Sequence, residues 1–294
     1  MAASGTDGDT GSGRAGPLLQ AGPAPHWRTS LSRRAINLAI LVGLAPTVIA
    51  AIASFGWGAL GRVCLAAGAA AVVEMITQRL MRQPVRIGDL SAIVQGALLA
   101  LLLPPTVPAW LILAGVVAMV VIAKQLFGGV GSYPFNPVLI AWAVLLLSWG
   151  NRIYPAADGL LGTAWTPAAL IGGALILVLG HVDWEAPLGL LFGVIVGTLV
   201  MRSFYPELGT LQSQLVTGSV YLGAFFLATD TTTSPSNPWP RLLFGLGAGL
   251  LIIVLRTYGT WPEPVPFALL LMNTLTPLLD RLRPAARRRI VSHA

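Results

Sequence analysis

The run KQLFGGVGSYPFNPV, Lys124 to Val138, sets one lysine, three glycines and two prolines between two apolar segments that otherwise read as membrane-crossing helices. Proline removes a backbone donor and glycine favours turns, so no uninterrupted helix runs through it. Backbone this irregular cannot face lipid, because no water is there to pair its N–H and C=O groups. It is tolerated only where protein covers it or where it lines a site. A second break follows at FFLATDTTTSPSNP, Phe225 to Pro238. The two together predict a membrane protein built around interrupted helices.

Composition agrees. Of 294 residues, 55% are hydrophobic and only 10% charged, with a mean hydropathy of +0.76, which leaves too little polar surface for a soluble globule of this length. The net charge of +7 could suit nucleic acid, but the basic residues sit in short clusters at the ends of apolar segments. That is a membrane-topology signal, and no nucleic-acid partner is expected. The single cysteine, Cys64, excludes a disulfide within the chain. Residues 1–30, rich in Gly, Ala, Pro and Ser, lack the basic start and apolar run of a signal peptide and read as a disordered cytoplasmic tail. Residues 31–283 read as the membrane domain and 284–294 as a basic cytoplasmic tail.

Apolar segments fall at 35–53, 59–78, 89–103, 109–126, 135–149, 167–181, 186–201, 214–228, 240–256 and 264–279, ten in all. Several are shorter than the ~20 residues of a simple span, so they are completed by flanking residues, tilted or broken. With the N-terminus inside, fourteen basic residues lie on the cytoplasmic side and four outside, namely Arg62, Arg152, Arg202 and Arg256. This places both termini in the cytoplasm and the loop from Gly150 to Thr166 on the outer face. Five spans per half insert the halves in opposite orientation. The expected fold is therefore all-α and polytopic, about ten transmembrane helices in two inverted five-helix repeats, 31–150 and 165–283, with a site near the midplane. Two local matches support the repeat: IVQGALLALLLPP parallels LVTGSVYLGAFFLATD, and the spacing from Lys124 to Phe135 equals that from Arg256 to Phe267.

Enzyme constellations of the soluble kind are missing. His26, His181 and His293 are scattered, and no HExxH, GxSxG or Walker-type run occurs. What remains is a set of polar residues inside or beside apolar segments: Glu74, Asp89, Gln95, Lys124, Asn136, Thr229 to Thr233, Asn273 and Asp280. Each marks a site or an ion path unless it caps a helix end, the preferred reading for Asp280. For Lys124, the only lysine, snorkelling to the interface stands beside a role in a site.

APHWRTSLSRRAINLAI, QPVRIGDLSAIVQGALLALLLPP, KQLFGGVGSYPFNPVLIAWAVLLLSW, FFLATDTTTSP and FALLLMNTLTPLLD resemble, in order, successive blocks of the D-type subunit of the Rnf electron-transport complex. The resemblance implies a bacterial inner-membrane flavoprotein that passes electrons within a multi-subunit complex linking reduced ferredoxin and NAD to ion movement. Its implied partners are the A, B, C, E and G types of subunit, a flavin transferase and membrane lipid. In that family FMN is joined to threonine by a phosphoester in an outer loop. Here the loop reads AADGLLGTAWTPAALIGG, in which Asp158 matches the family's acidic residue and Thr166-Pro167 its Thr-Pro. Thr166 is the expected attachment point and Thr163 the runner-up, because Trp165 and a long spacer depart from the family's pattern. A threonine that only caps the next helix is the competing reading.

By the same resemblance the two breaks frame a second, non-covalent flavin (riboflavin or FMN) or an ion path. Lys124 would favour a reduced anionic flavin, with Gly128 and Gly129 permitting close approach. Asn136, Asp230, Thr232 and Thr233 complete the expected cofactor-binding set, and no metal ligands or catalytic residues are expected. A small-solute transporter or channel on the same scaffold, or a flavin-free scaffold protein, are the alternative functions.

Overall fold

A computed structural model describes residues 32–154, 166–259 and 261–282, and the described residues are helical with no strand among them. The two tails and the loop residues Asp158, Thr163 and Trp165 lie outside the described residues. Helix α1 (Arg33–Phe55) starts where the Ser32 hydroxyl accepts a hydrogen bond from the Ala35 N–H at 3.2 Å. It ends at Gly56, whose φ of +74° makes a one-residue hinge into α2 (Trp57–Leu80). Then come α3 (Ser91–Leu102), α4 (Ala109–Val117), α5 (Pro137–Ile153), α6 (Thr166–Val178) and α7 (Glu185–Phe204). The chain continues through α8 (Leu211–Val216), α9 (Val220–Leu222), α10 (Pro238–Tyr258) and α11 (Val265–Leu279).

Five of these helices are long and apolar enough to cross a membrane: α1, α2, α4 with its extension to Phe127, α7 and α10. Four more, α3, α5, α6 and α11, are apolar but shorter. The tenth apolar segment is α8 and α9, broken at Thr217–Ser219, where Gly218 takes a φ of +72°. The chain is thus an all-α polytopic membrane protein, and the ten segments expected from hydropathy fall on these elements. Helix α3 can be short because it is internal: ten of its twelve residues are buried, so protein rather than lipid meets its ends.

Both breaks have a feature that hydropathy does not show. Helix α4 widens into a π turn over Ala118–Lys124 and then tightens into a 3-10 turn over Gln125–Phe127. Helix α9 continues as a π turn over Gly223–Leu227. Such turns expel a residue from the regular ladder and are frequent at functional sites.

The first helices of the two halves, α1 and α6, pack together, as do the last, α5 and α11. Glycines set these distances: a Cβ on Gly172 would collide with the carbonyl of Gly43 in α1, and one on Gly245 or Gly249 of α10 would overlap α7 carbonyls. Each half also carries a cation near the end of its fourth span. In the first half it is Lys124. In the second it is Arg256, whose guanidinium donates to the Thr217 carbonyl at 2.6 Å and to Gln214 Oε1 at 2.9 Å, holding the α8/α9 break. Glu263 beside it accepts from the Ser219 N–H at 3.2 Å.

Gly245→Leu drives a side chain into the α7 backbone and is expected to lower stability by at least about 1–3 kcal/mol. Gly61→Leu, which meets open space, should stay within about 0.5 kcal/mol of wild type. Thermal unfolding in detergent, followed by tryptophan fluorescence, checks both.

Candidate functional site: a cavity between the two halves

The two breaks and the ends of α1, α3 and α6 enclose a cavity of about 1100 Å³, including the solvent at its mouth. Its walls are apolar where helices contribute them, through Ile36, Ile40, Val94, Leu98 and Phe226. Its rim is polar where the breaks do, through Asn136, Thr229, Asp230 and Thr232, with Gln95 and Asn37 added from α3 and α1. Arg33, Asp183 and Arg241 stand at the mouth, and Arg241 pairs with Asp183 and, at 3.6 Å, with Glu185.

Across the cavity runs a chain of hydrogen bonds. Gln95 Nε2 donates to the Tyr133 hydroxyl at 3.4 Å, and that hydroxyl donates to Asp230 Oδ1 at 3.5 Å. The Thr232 N–H donates to the same carboxylate oxygen at 3.1 Å. Burial pushes the Asp230 carboxyl above the usual carboxylate range, against the opposing pull of the Thr232 N–H, Tyr133 and Lys124. Burial and the nearby Asp230 likewise push the Tyr133 phenol up. Asn136 caps α5 by accepting from the Val138 N–H at 3.0 Å and donates to the Leu227 carbonyl at 3.4 Å, so one side chain joins the two breaks. Gln95 Oε1 is buried with no hydrogen-bond partner among the described residues.

Directly behind the α3 wall lies a buried ion pair. The last π-turn residue, Lys124, points its ammonium at Glu74 Oε1 of α2, 2.8 Å away, and at the Ser91 hydroxyl of α3, also 2.8 Å away. Gln125 Nε2 donates to the same Glu74 oxygen at 2.9 Å and Gln78 Nε2 at 3.4 Å. The second carboxylate oxygen, Glu74 Oε2, and Gln125 Oε1 have no hydrogen-bond partner among the described residues. The glycines make this possible: Gly128, Gly129 and Gly131 all have φ near +90° to +100°, values that a side chain would strain, and they turn the chain sharply back after Phe127.

The expected residues therefore separate into three places. Asn136, Asp230 and Thr232 line the cavity, while Thr233 is buried behind it with its carbonyl taken by the Thr276 hydroxyl at 2.9 Å. Lys124 does not touch the cavity directly but reaches its wall through Ser91, and its fully buried ammonium does not snorkel. Gly128 and Gly129 shape the turn and do not line the cavity. Thr166 begins α6 at the end far from the cavity, about 18 Å away along a 13-residue helix. Asp280 accepts from the Ser236 N–H at 2.9 Å and so anchors the second break. Sequence reasoning missed Tyr133, Ser91, Gln125 and Asn37, whose roles depend on which neighbour each meets across the fold.

The fold and the cavity define a polytopic membrane protein with a polar site enclosed between its two halves. The sequence model of the NQR2, RnfD, RnfE family matches residues 20–159 and 151–288, and the chain belongs to that family. It is 31% identical to the D subunit of the ion-translocating oxidoreductase complex of Methanosarcina acetivorans, over 88% of this chain and 93% of that protein. Identity is also 31% to the D subunit of the Na(+)-translocating ferredoxin:NAD(+) oxidoreductase complex of Acetobacterium woodii, over 90% of this chain and 93% of that protein. The corresponding protein of the ion-translocating oxidoreductase complex of Escherichia coli is 31% identical over 89% of this chain and 95% of its own length.

Two outcomes test the site. Because the native Asp230 carboxyl holds its proton more tightly than an unfolded one, wild type loses stability as pH rises from the ordinary carboxylate range through the raised value. Asp230→Asn removes that loss, so its melting point relative to wild type should climb as pH rises above the ordinary carboxylate range. Lys124→Met strands the Glu74 carboxylate and should cost about 3–5 kcal/mol, while Lys124→Met with Glu74→Gln recovers most of it, as a double-mutant cycle of melting points would show.

Proposed function

We propose that this chain is the D-type subunit of an Rnf-type ion-translocating oxidoreductase complex in a bacterial inner membrane, with both termini cytoplasmic. It carries FMN on Thr166, or on Thr163, through a phosphoester on the outer face, and holds a second flavin, riboflavin or FMN, non-covalently in the cavity. Electrons from ferredoxin- and NAD-linked subunits pass through it, coupled to ion movement, and it catalyses no complete reaction alone. Its partners are the A, B, C, E and G types of subunit, with a flavin transferase supplying the covalent FMN.

The observation that carries this reading is the cavity's division of labour. A flat tricyclic ring needs apolar faces above and below it and hydrogen-bonding groups around its edge. Ile40, Val94, Leu98 and Phe226 offer the first, and Asn37, Gln95, Asn136 and Thr229 the second. The unpartnered Gln95 Oε1 supplies an acceptor for a ring N–H. A flavin bound there would supply both one- and two-electron transfer. The chain's own residues orient it, exclude water from its faces and set the charge around it. For the covalent FMN, the support is family membership together with the helical start at Thr166, whose N-terminal N–H groups favour a phosphate.

Intact mass of the chain co-expressed with its flavin transferase tests the covalent site: a gain of one FMN less water is expected, lost in Thr166→Ala and retained in Thr163→Ala. The reverse pattern moves the site to Thr163. Flavin released from the same preparation by acid precipitation tests the cavity, and Gln95→Leu should weaken its retention about fivefold, the worth of one neutral hydrogen bond. Unmodified protein that releases no flavin would instead favour the transporter or scaffold.

A further inference from the structure

A second groove, of about 840 Å³ with its open mouth, lies where α1 begins and α2 ends, lined by Arg33, Val85, Arg86, Gly88, Asp89 and Val130. Arg34, Arg79 and Arg82 belong to the same end of these two helices. Arg79 complements the negative C-terminal end of the α2 dipole, but the other arginines have no such local reason. Arg33 and Arg34 occupy the first turn of α1, which holds no acidic residue, so two cations sit at the positive end of a helix dipole. Arg82 takes a φ of +54° in a Schellman ending, where the Arg82 N–H donates to the Arg79 carbonyl at 3.1 Å and the Gln83 N–H to the Gln78 carbonyl at 2.8 Å. Glycine is free at that position and arginine is strained, so the side chain serves something other than the turn. Arg86 is fixed by its own N–H, which donates to Gln78 Oε1 at 2.9 Å. Ion pairs between described residues engage Lys124 and Arg241 and none of these arginines. The carboxylate of the groove, Asp89, is turned to the backbone, where its Oδ1 accepts from the Ser91 N–H at 2.9 Å.

We propose that this groove holds the headgroup of one anionic phospholipid, with its phosphate between Arg33 and Arg86 and with Arg34 and Arg82 adding to the positive field. A guanidinium fork matches two phosphate oxygens at once, and arginines reaching in from two separate elements, α1 and the loop after α2, define a position rather than a diffuse charge. Charge alone would suit an acidic protein surface equally well. The apolar neighbours decide for a lipid. Leu80, Met81 and Val85 lie exposed among the arginines, Leu80 by 79%, and this mixture of charged and apolar side chains fits the boundary between headgroups and acyl chains. Val72, Ile76 and Leu80, spaced four apart, continue as an exposed apolar stripe along α2 on which an acyl chain can lie. The site also borders the cavity, because Arg33 and Val130 line both, so a lipid there neutralises a charge at the cavity's mouth. This assignment holds whatever the cavity contains.

The test is a lipid titration of the full chain in an uncharged detergent, with dioleoyl phosphatidylglycerol against dioleoyl phosphatidylcholine, read by native mass spectrometry and by the melting point. Wild type should retain one phosphatidylglycerol in preference to phosphatidylcholine and melt higher with it. Each arginine removed should weaken that binding about fivefold, the worth of one basic residue at an anionic surface, and Arg33→Gln with Arg86→Gln about thirtyfold. Arg152→Gln with Arg202→Gln, at the ends of α5 and α7, removes the same net charge elsewhere and should leave binding within about twofold. Arg82→Gly separates a role in binding from a role in the turn: it relieves the strained φ and should raise the melting point without added lipid, yet weaken phosphatidylglycerol about fivefold. Equal affinity for the two lipids overturns the proposal and leaves the groove to an acidic protein surface. A phosphatidylglycerol preference that survives Arg33→Gln with Arg86→Gln, or that the control pair loses to the same degree, overturns it as well. A rise in melting point from inorganic phosphate equal to that from phosphatidylglycerol assigns the groove to a free anion instead of a lipid.

Discussion

The ion pair between Lys124 and Glu74 governs the first half of the molecule. It joins the π turn that extends α4 to the C-terminal third of α2 and, through Ser91, to the start of α3, all inside a region from which water is excluded. Burying two charges costs more than most pairings return, so such a pair is poor evidence for stability in itself. Its value is in geometry. The ammonium is satisfied only where three helices meet, and the π turn over Ala118–Lys124 is what brings it there: one extra residue in the turn rotates Lys124 inward, away from the lipid-facing side occupied by Ile122 and Leu126. The glycine turn that follows then has somewhere fixed to start from, and Tyr133 and Asn136 inherit their places in the cavity wall.

The cavity is a joint product of both halves, which explains why neither half could enclose it alone. The first break supplies Tyr133 and Asn136, the second supplies Asp230 and Thr232, and the two meet through the hydrogen bonds from Tyr133 to Asp230 and from Asn136 to the Leu227 carbonyl. The bonds are long, 3.4–3.5 Å, so the meeting is polar but not tightly locked. A site assembled from such contacts between two packed bodies can alter its shape by a small relative movement, whereas the apolar crossings of α7 with α10 and of α1 with α6, set by glycine against backbone carbonyls, cannot.

How much of this the sequence disclosed follows from the range of the interactions involved. Hydropathy is summed over many residues, so ten apolar segments were legible, including the broken α8 and α9 segment. The two breaks were legible because glycine and proline act locally on their own backbone. Asp230, Asn136 and Thr232 could be singled out as polar residues in apolar surroundings, and so could Glu74. The pairing of Glu74 with Lys124 was not legible, because the two lie far apart in the chain and nothing local to either names the other. Tyr133 was hidden for a different reason: an aromatic residue in a loop of a membrane protein reads as an interfacial anchor, and only its neighbours Gln95 and Asp230 make it part of a polar chain. The π turns had no signature at all, since their residues, AMVVIAK and GAFFL, suit an ordinary helix equally well.

The inverted repeat sharpens the contrast between the two cations. Arg256 and Lys124 close corresponding spans of the two halves, yet they are built for different tasks. Arg256 directs its planar guanidinium at the Gln214 and Thr217 carbonyls and the Gln214 amide oxygen, several bonds in one rigid fork, and that fork fixes the α8/α9 break in place. Lys124 makes two side-chain contacts on a flexible stem, and one of its partners faces the cavity. Exchanging the two residue types would rigidify the face that holds the cavity and loosen the other. Symmetry of fold with asymmetry of cation places the more flexible side chain beside the break that shares its polar groups with the cavity.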